Sequence, residues 1–348
     1  MSDMDIMVRR TFRLSMVTAL SLASAYAFKL QLPYLVPMFA ILLTINPVAP
    51  PGLGKSVVLL VAIAMTLTSG MVLIPWLEFY PFAAILMVAL GMYASFYLSV
   101  VRGKHIVGHF LATGIALVSI AGSVSSMLAT LVIETFVVGI AVVILCQWLV
   151  YPFFPEDPTP SASKKDSKEV DLLSNWKALR GTLIVLPSYL MALINPGLYL
   201  PLVLKSIALG QQSTLIDVKS AGREMLGATI LGGGFAVLFW WLLGLAVNLW
   251  MFFLWALLFF TYFGSKIYGI SKSRFPASFW QSVTSNLIIL LGAAVMDNEN
   301  GNDVYQAFVT RISLFIVVTL YAWFAVYILD FIYGNKNANK KRMESAPC

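Results

Sequence analysis

LATLVIETFVVGIAVVILCQWLVY, residues 128–151, contains a single charged residue, Glu134. A helix that crosses the ~30 Å hydrocarbon core of a bilayer needs about 20 residues. This run is long enough, and it has no polar face to show to water. Reading outward, apolar segments of the same kind cover 12–30, 33–47, 56–75, 79–101 and 106–127 before it. After a polar stretch they resume at 177–195, 197–210, 223–245, 248–268, 277–296 and 304–332.

Composition agrees. The chain has 348 residues, 59% hydrophobic and 11% charged, with a mean hydropathy of +0.85. Soluble proteins carry about 25% charged residues, so a pair of soluble domains is excluded. The net charge of +7 would suggest nucleic acid in a soluble protein. In a membrane protein it reads as Lys and Arg held on the cytoplasmic side, and no nucleic acid is expected. Cys146 and Cys348 offer no disulfide framework and no metal spacing. No metal or cofactor is expected.

The sides can be read from the basic residues. With a cytoplasmic N-terminus and alternating spans, all 23 Lys and Arg except Lys29 and Arg311 fall on the cytoplasmic side. The outer loops hold Glu78, Asp297, Glu299 and Asp303. This is the positive-inside pattern, and removing one span would destroy it. The two halves also echo each other. Arg13-Leu14-Ser15-Met16 opens the first and Arg180-Gly181-Thr182-Leu183 the second; Tyr34-Leu35-Val36-Pro37 is matched by Leu198-Tyr199-Leu200-Pro201. The fold expected is an all-α polytopic membrane protein of about twelve transmembrane helices, arranged as two parallel six-helix repeats with both termini cytoplasmic. The units are residues 1–151, a polar cytoplasmic linker 152–176 with the Pro and Ser/Lys content of a flexible segment, residues 177–333, and a basic cytoplasmic tail 334–348.

Several motifs are decoys. Ala49-Pro50-Pro51-Gly52-Leu53-Gly54-Lys55-Ser56 mimics a phosphate-binding loop, but two prolines remove the amides that would cradle phosphate. It reads as a cytoplasmic turn. Arg9-Arg10 ahead of an apolar run and Ala25-Tyr26-Ala27 imitates an export signal; the counterpart after Arg180 argues for a retained span. His105 and His109 share a helix face without further ligands nearby. Gly232-Gly233-Gly234 reads as a close helix contact.

Ionisable residues within spans are the functional candidates. Arg311 lies about two turns into the last span, and Glu134 lies at matching depth in the sixth. An arginine grips a carboxylate through two hydrogen bonds, and a partly dry glutamate can load and release a proton. Two readings stand: an anion site with a proton-coupling partner, or an Arg311–Glu134 pair that ties the halves together. Lys29, at the outer end of the first span, is either a third charge of the site or a snorkelling lysine. Lys205 reads as snorkelling to the inner surface. The short spans 33–47 and 197–210 are the other pointer, because helix N-termini within the membrane present amides and a positive dipole end to an anion. They place a carboxylate near Tyr34 and Pro37 in one half and Tyr199 and Pro201 in the other. Tilted helices in locally thinned membrane are the alternative.

With these residues the chain resembles the aromatic acid exporter and fusaric acid resistance family. The likeness rests on Arg13 and Arg180 heading the first spans, the Tyr-and-Pro start of the second spans, the linker between six-span halves, and Arg311-Ile312-Ser313-Leu314-Phe315-Ile316-Val317-Val318 in the last helix. Glu134 stands where that family's first-half arginine is expected. The chain resembles a compact branch without the soluble domains typical of members. The resemblance implies a multi-pass protein of the bacterial inner membrane that exports aromatic carboxylic acids, with a periplasmic adaptor of the membrane-fusion type and a small membrane partner.

The leading expectation is therefore proton-driven efflux of aromatic or other hydrophobic organic acids, not an enzymatic reaction. A passive organic-anion channel and a non-transporting subunit of an efflux assembly remain as alternatives. An intramembrane enzyme lacks a paired Asp, a Ser/His dyad or a metal cluster in the spans.

Overall fold

The computed structural model describes residues 5–46, 48–156, 172–213, 218–299, 301 and 303–344. Among the described residues there is no strand. Lipid supplies no hydrogen-bond partner, so each apolar run satisfies its backbone internally as a helix. The order is α1 (Ile6–Ala27), α2 (Leu35–Thr44), α3 (Leu53–Thr68), a 3-10 turn Met71–Leu73, α4 (Ile74–Phe79), α5 (Pro81–Val100), α6 (His105–Thr113), a π-helical turn Gly114–Val118, α7 (Ser119–Val124) and α8 (Ser126–Val150). Then follow α9 (Leu172–Ile194), α10 (Pro196–Ser213), α11 (Val218–Leu243), α12 (Leu249–Ile267), α13 (Ala277–Glu299) and α14 (Val304–Glu344). The linker residues 157–171 lie outside the described residues. α9 starts ahead of the expected boundary at 177, and α14 runs through most of the expected tail.

Among the described residues, nine helical segments are long and apolar enough to cross a membrane. The protein is a multi-pass helical membrane protein. Its outward faces carry Val57, Val58, Val61 and Met65 on α3 and Phe82, Leu86 and Leu90 on α5. That is the surface lipid requires.

Helix ends are fixed by short polar side chains. Asp5 accepts from the Met7 amide at 3.2 Å, Ser125 from Leu128 at 3.1 Å and Asn248 from Met251 at 2.7 Å. Each satisfies an amide that the helix cannot. Pro187 lies inside α9 and has no N–H for the carbonyl one turn back. The Tyr321 hydroxyl of α14 donates to that carbonyl, Leu183 O, at 2.8 Å.

The two parts of the chain interlock. α1 packs along α12, and α9 packs along α5. α2 meets α13, while α10 meets α6 and the π turn. Small residues permit the closest approaches. A Cβ at Gly181 would stand 2.9 Å from the Phe96 ring, and one at Gly210 2.8 Å from it. Of the glycine run, Gly232 sits against α13, where a Cβ would lie 2.7 Å from that of Asn286. Hydroxyls bridge the parts as well: Ser119 and Tyr189 lie 3.0 Å apart, and the Tyr268 hydroxyl donates to Ile45 O at 2.9 Å.

The expected equality of the two short spans is corrected. α2 has 10 residues, about 15 Å of helix, whereas α10 has 18, about 27 Å. Pro196 starts α10 without needing an amide, and Pro201 is carried inside it, so the second segment lengthens in both directions.

Candidate functional site

A cavity of about 440 Å³ lies between the two parts. The connection ahead of α2 contributes Gln31 and Tyr34; α8 contributes Thr135; α10 contributes Gly197 and Pro201; α14 contributes Arg311. The remaining wall is mostly aliphatic, including Leu128 and Met296. Arg311 is half-buried and is the one charged side chain in this lining. Tyr34 is buried, within electrostatic reach of the guanidinium. It is seated on Gly292 of α13, where any Cβ would overlap it. A glycine is required there to admit the tyrosine. Pro201 cannot bond the Gly197 carbonyl one turn back, and both residues face the cavity.

Of the residues expected from sequence, Arg311, Tyr34 and Pro201 come together in this lining. Pro37 is buried within α2, and Tyr199 is half-buried on α10; neither lines the cavity. Lys29 is exposed with φ +52 in the connection after α1. Glu134 is exposed on α8, next to the lining residue Thr135 but facing away. Four of the expected helix-start amides are engaged. Leu35 and Val36 donate to Leu32 O and Pro33 O at 3.1 and 3.3 Å, while Leu198 donates to Asn195 Oδ1 at 3.3 Å and Tyr199 to Asn195 O at 3.2 Å. The guanidinium is therefore the group in the wall that can meet an anion with full charge.

Lys205 does not snorkel. It is 2% exposed, and its Nζ donates to Asn286 Oδ1 at 2.5 Å. Asn286 Nδ2 donates to Ala228 O at 3.0 Å. The signal was available: Lys205 lies between Leu202-Val203-Leu204 and Ile207-Ala208-Leu209, with apolar residues on both sides. The other cluster missed from sequence lies at the start of the linker. Glu156 accepts from Arg10 Nε at 2.8 Å and from Arg13 Nη2 at 2.8 Å, and also bonds Arg10 Nη2. Arg9 Nη1 donates to Pro155 O at 3.2 Å. Phe12 stacks on Phe154 at 5.9 Å. Residues 154–156 are therefore clamped to α1. Of the two histidines, His105 Nδ1 meets Ser99 Oγ at 3.1 Å, and His109 is bonded to Gln211.

A larger hollow of about 550 Å³ lies between α1 and α12, lined by Met16, Leu20, Ser24, Trp250 and Phe253. It is apolar and has no charged group, so it offers a ligand no orientation.

Residues 10–150 match the family described as "Protein of unknown function (DUF2955)". The match runs from the second arginine of α1 to the last residue of α8. No curated protein and no solved structure matches the chain.

Proposed function

We propose that the chain is a secondary-active, proton-driven exporter of aromatic or other hydrophobic organic acids across a bacterial inner membrane. The observation that carries the reading is the cavity itself: an apolar chamber between the two parts of the chain, with a single guanidinium in its wall. Such a site suits an amphiphilic anion. The aliphatic wall takes the apolar body, and Arg311 takes the carboxylate. Tyr34, held by Gly292, offers a hydroxyl beside it.

Two parallel six-helix units, twelve spans and two cytoplasmic termini are part of this proposal. α1, α2 and α10 would join the nine apolar crossings. The reciprocal packing of α1 on α12 and α9 on α5 supports a pseudo-twofold. So does the end of the family match at Val150, where the first unit is expected to close. Glu134 on the outer face of α8 supports a small membrane partner at that surface, since a bare carboxylate facing lipid is unfavourable. A periplasmic membrane-fusion-type adaptor completes the proposed assembly.

The test is uptake of a panel of aromatic acids into liposomes that hold the full chain under an imposed pH gradient, beside Arg311→Gln. Gradient-dependent uptake that the substitution reduces at least about tenfold is the expected result. Uptake that follows voltage without a pH gradient would replace the exporter with a channel. No uptake by either protein would leave the assembly-subunit role.

A further inference from the structure

One turn below the cavity sits a buried cation that the proposed function does not use. Lys205 lies one turn beyond the lining residue Pro201 on α10. Phe315 lies one turn beyond Arg311 on α14, and Asn286 is two turns from Ala293, which lines the cavity on α13. The Lys205 ammonium is 5.8 Å from the centre of the Phe315 ring. Helical side chains lean toward the helix N-terminus. The Lys205 ammonium is therefore carried up toward the Pro201 turn, and the Phe315 ring toward Arg311. The ring is a neighbour of the ammonium one turn beyond the cavity lining.

The partners of Lys205 are all neutral. Asn286 turns its oxygen to the ammonium because its nitrogen is bonded to Ala228 O. Among the described residues no carboxylate pairs with Lys205, and the described ion pairs lie at Glu156. An amide oxygen and an aromatic face solvate a cation but do not neutralise it. An anion that reaches such an ammonium supplies the counter-charge its own chain does not.

We propose that Lys205 is an inner anion station, which receives the carboxylate of the organic acid one helical turn beyond the cavity lining. The inference rests on the organic-acid reading of the cavity. A second cation beyond the cavity lets the carboxylate pass between positions without being bound too tightly at either.

The test uses the full chain in lipid nanodiscs. Benzoate is titrated against neutral benzamide, and binding is read as ligand-induced thermal stabilisation. Lys205→Gln is expected to weaken benzoate about tenfold or more, the loss of a charged hydrogen bond. Lys205→Arg keeps the charge and stays within about threefold. Asn286→Asp supplies an internal carboxylate beside an intact lysine. It is expected to fold at least as stably as the wild type and to lose benzoate as Lys205→Gln does. Because that variant gains stability while losing affinity, it also decides the matter if Lys205→Gln fails to fold. Benzamide is indifferent to all three. Wild-type affinity in Lys205→Gln or Asn286→Asp, with Arg311→Gln impaired, overturns the inner station and leaves the cavity reading intact. Lys205→Gln impaired with Arg311→Gln unaffected keeps the station and removes Arg311 from the site. A wild type that ignores benzoate overturns both.

Discussion

Two cations in this chain are almost equally withdrawn from solvent, and they are treated in opposite ways. Arg13 is 4% exposed and Lys205 is 2% exposed. Arg13 meets the Glu156 carboxylate at 2.8 Å and lies 5.8 Å from the Tyr151 ring. Lys205 has an aromatic face too, but its hydrogen-bond partner is a carboxamide. The first charge is neutralised by its own chain, so it fastens the start of the linker to α1. The second has no paired carboxylate among the described residues, so an anion from outside the chain has something to gain there. The difference lies in one atom of the partner, an ionised oxygen in one case and an amide oxygen in the other.

The largest effect expected from breaking this comparison comes from Glu156→Ala. It takes the counter-charge from Arg10 and Arg13 and leaves Arg13 buried. Orphaning a buried ion is destabilising by about 3 kcal/mol. The apparent unfolding temperature of the purified chain should fall accordingly, and Arg10→Ala should lower it far less, because Arg13 keeps its partner. An unaltered unfolding temperature in Glu156→Ala would mean that the clamp fastens nothing.

The same substitution at the two cations should then give opposite signs. Arg13→Met removes a charged hydrogen bond and should destabilise by about 1.5–2 kcal/mol. Lys205→Met removes a buried, un-neutralised ammonium and should stabilise by about 1 kcal/mol, since apolar isosteres of buried ions are often favourable. Asn286 then loses a partner, which holds the gain down. Paired unfolding curves in one lipid preparation would show this. Two changes of the same sign would erase the distinction between a locked and an open cation.

How far the sequence could be read follows from the same physics. Span positions were legible because hydrocarbon thickness imposes a length and an apolar content on every crossing, as with residues 128–151. Arg311 was legible because charge is rare in spans, and Tyr34 and Pro201 because they head the short apolar segments. Their convergence on one cavity was not, since it depends on α2 meeting α13 through the vacancy at Gly292. Lys205 was misread because depth along a helix does not say which way a side chain faces. In α10 it faces Asn286 rather than the membrane surface. Glu156 was missed because a lone acid in a Pro-rich linker looks solvated until α1 places its arginines alongside. At the starts of α2 and α10 the amides of Leu35, Val36, Leu198 and Tyr199 are used by the turns before those helices, which composition alone does not show.

The smallest expected effect is a pH dependence confined to the clamp. Burial pushes the Glu156 carboxyl up, but the hydrogen bonds and charges of Arg10 and Arg13 outweigh it and hold the carboxyl below its ordinary value of 4.5. A carboxyl depressed in the folded state adds stability that is complete above that ordinary value. The contribution is lost as pH falls from about 4.5 through the depressed folded value. Protonation leaves a carbonyl oxygen still able to accept from the arginines, and Arg10, 15% exposed, keeps part of the cluster open to solvent. The loss is therefore only about 1 kcal/mol, well short of the Ala substitution. Unfolding temperatures measured from pH 7 to pH 3 should fall more steeply for the wild type than for Glu156→Gln, which has no proton to gain, and the two curves should approach each other at the acid end. Parallel curves would place the acid sensitivity elsewhere and deny Glu156 the ionised state on which the contrast with Asn286 depends.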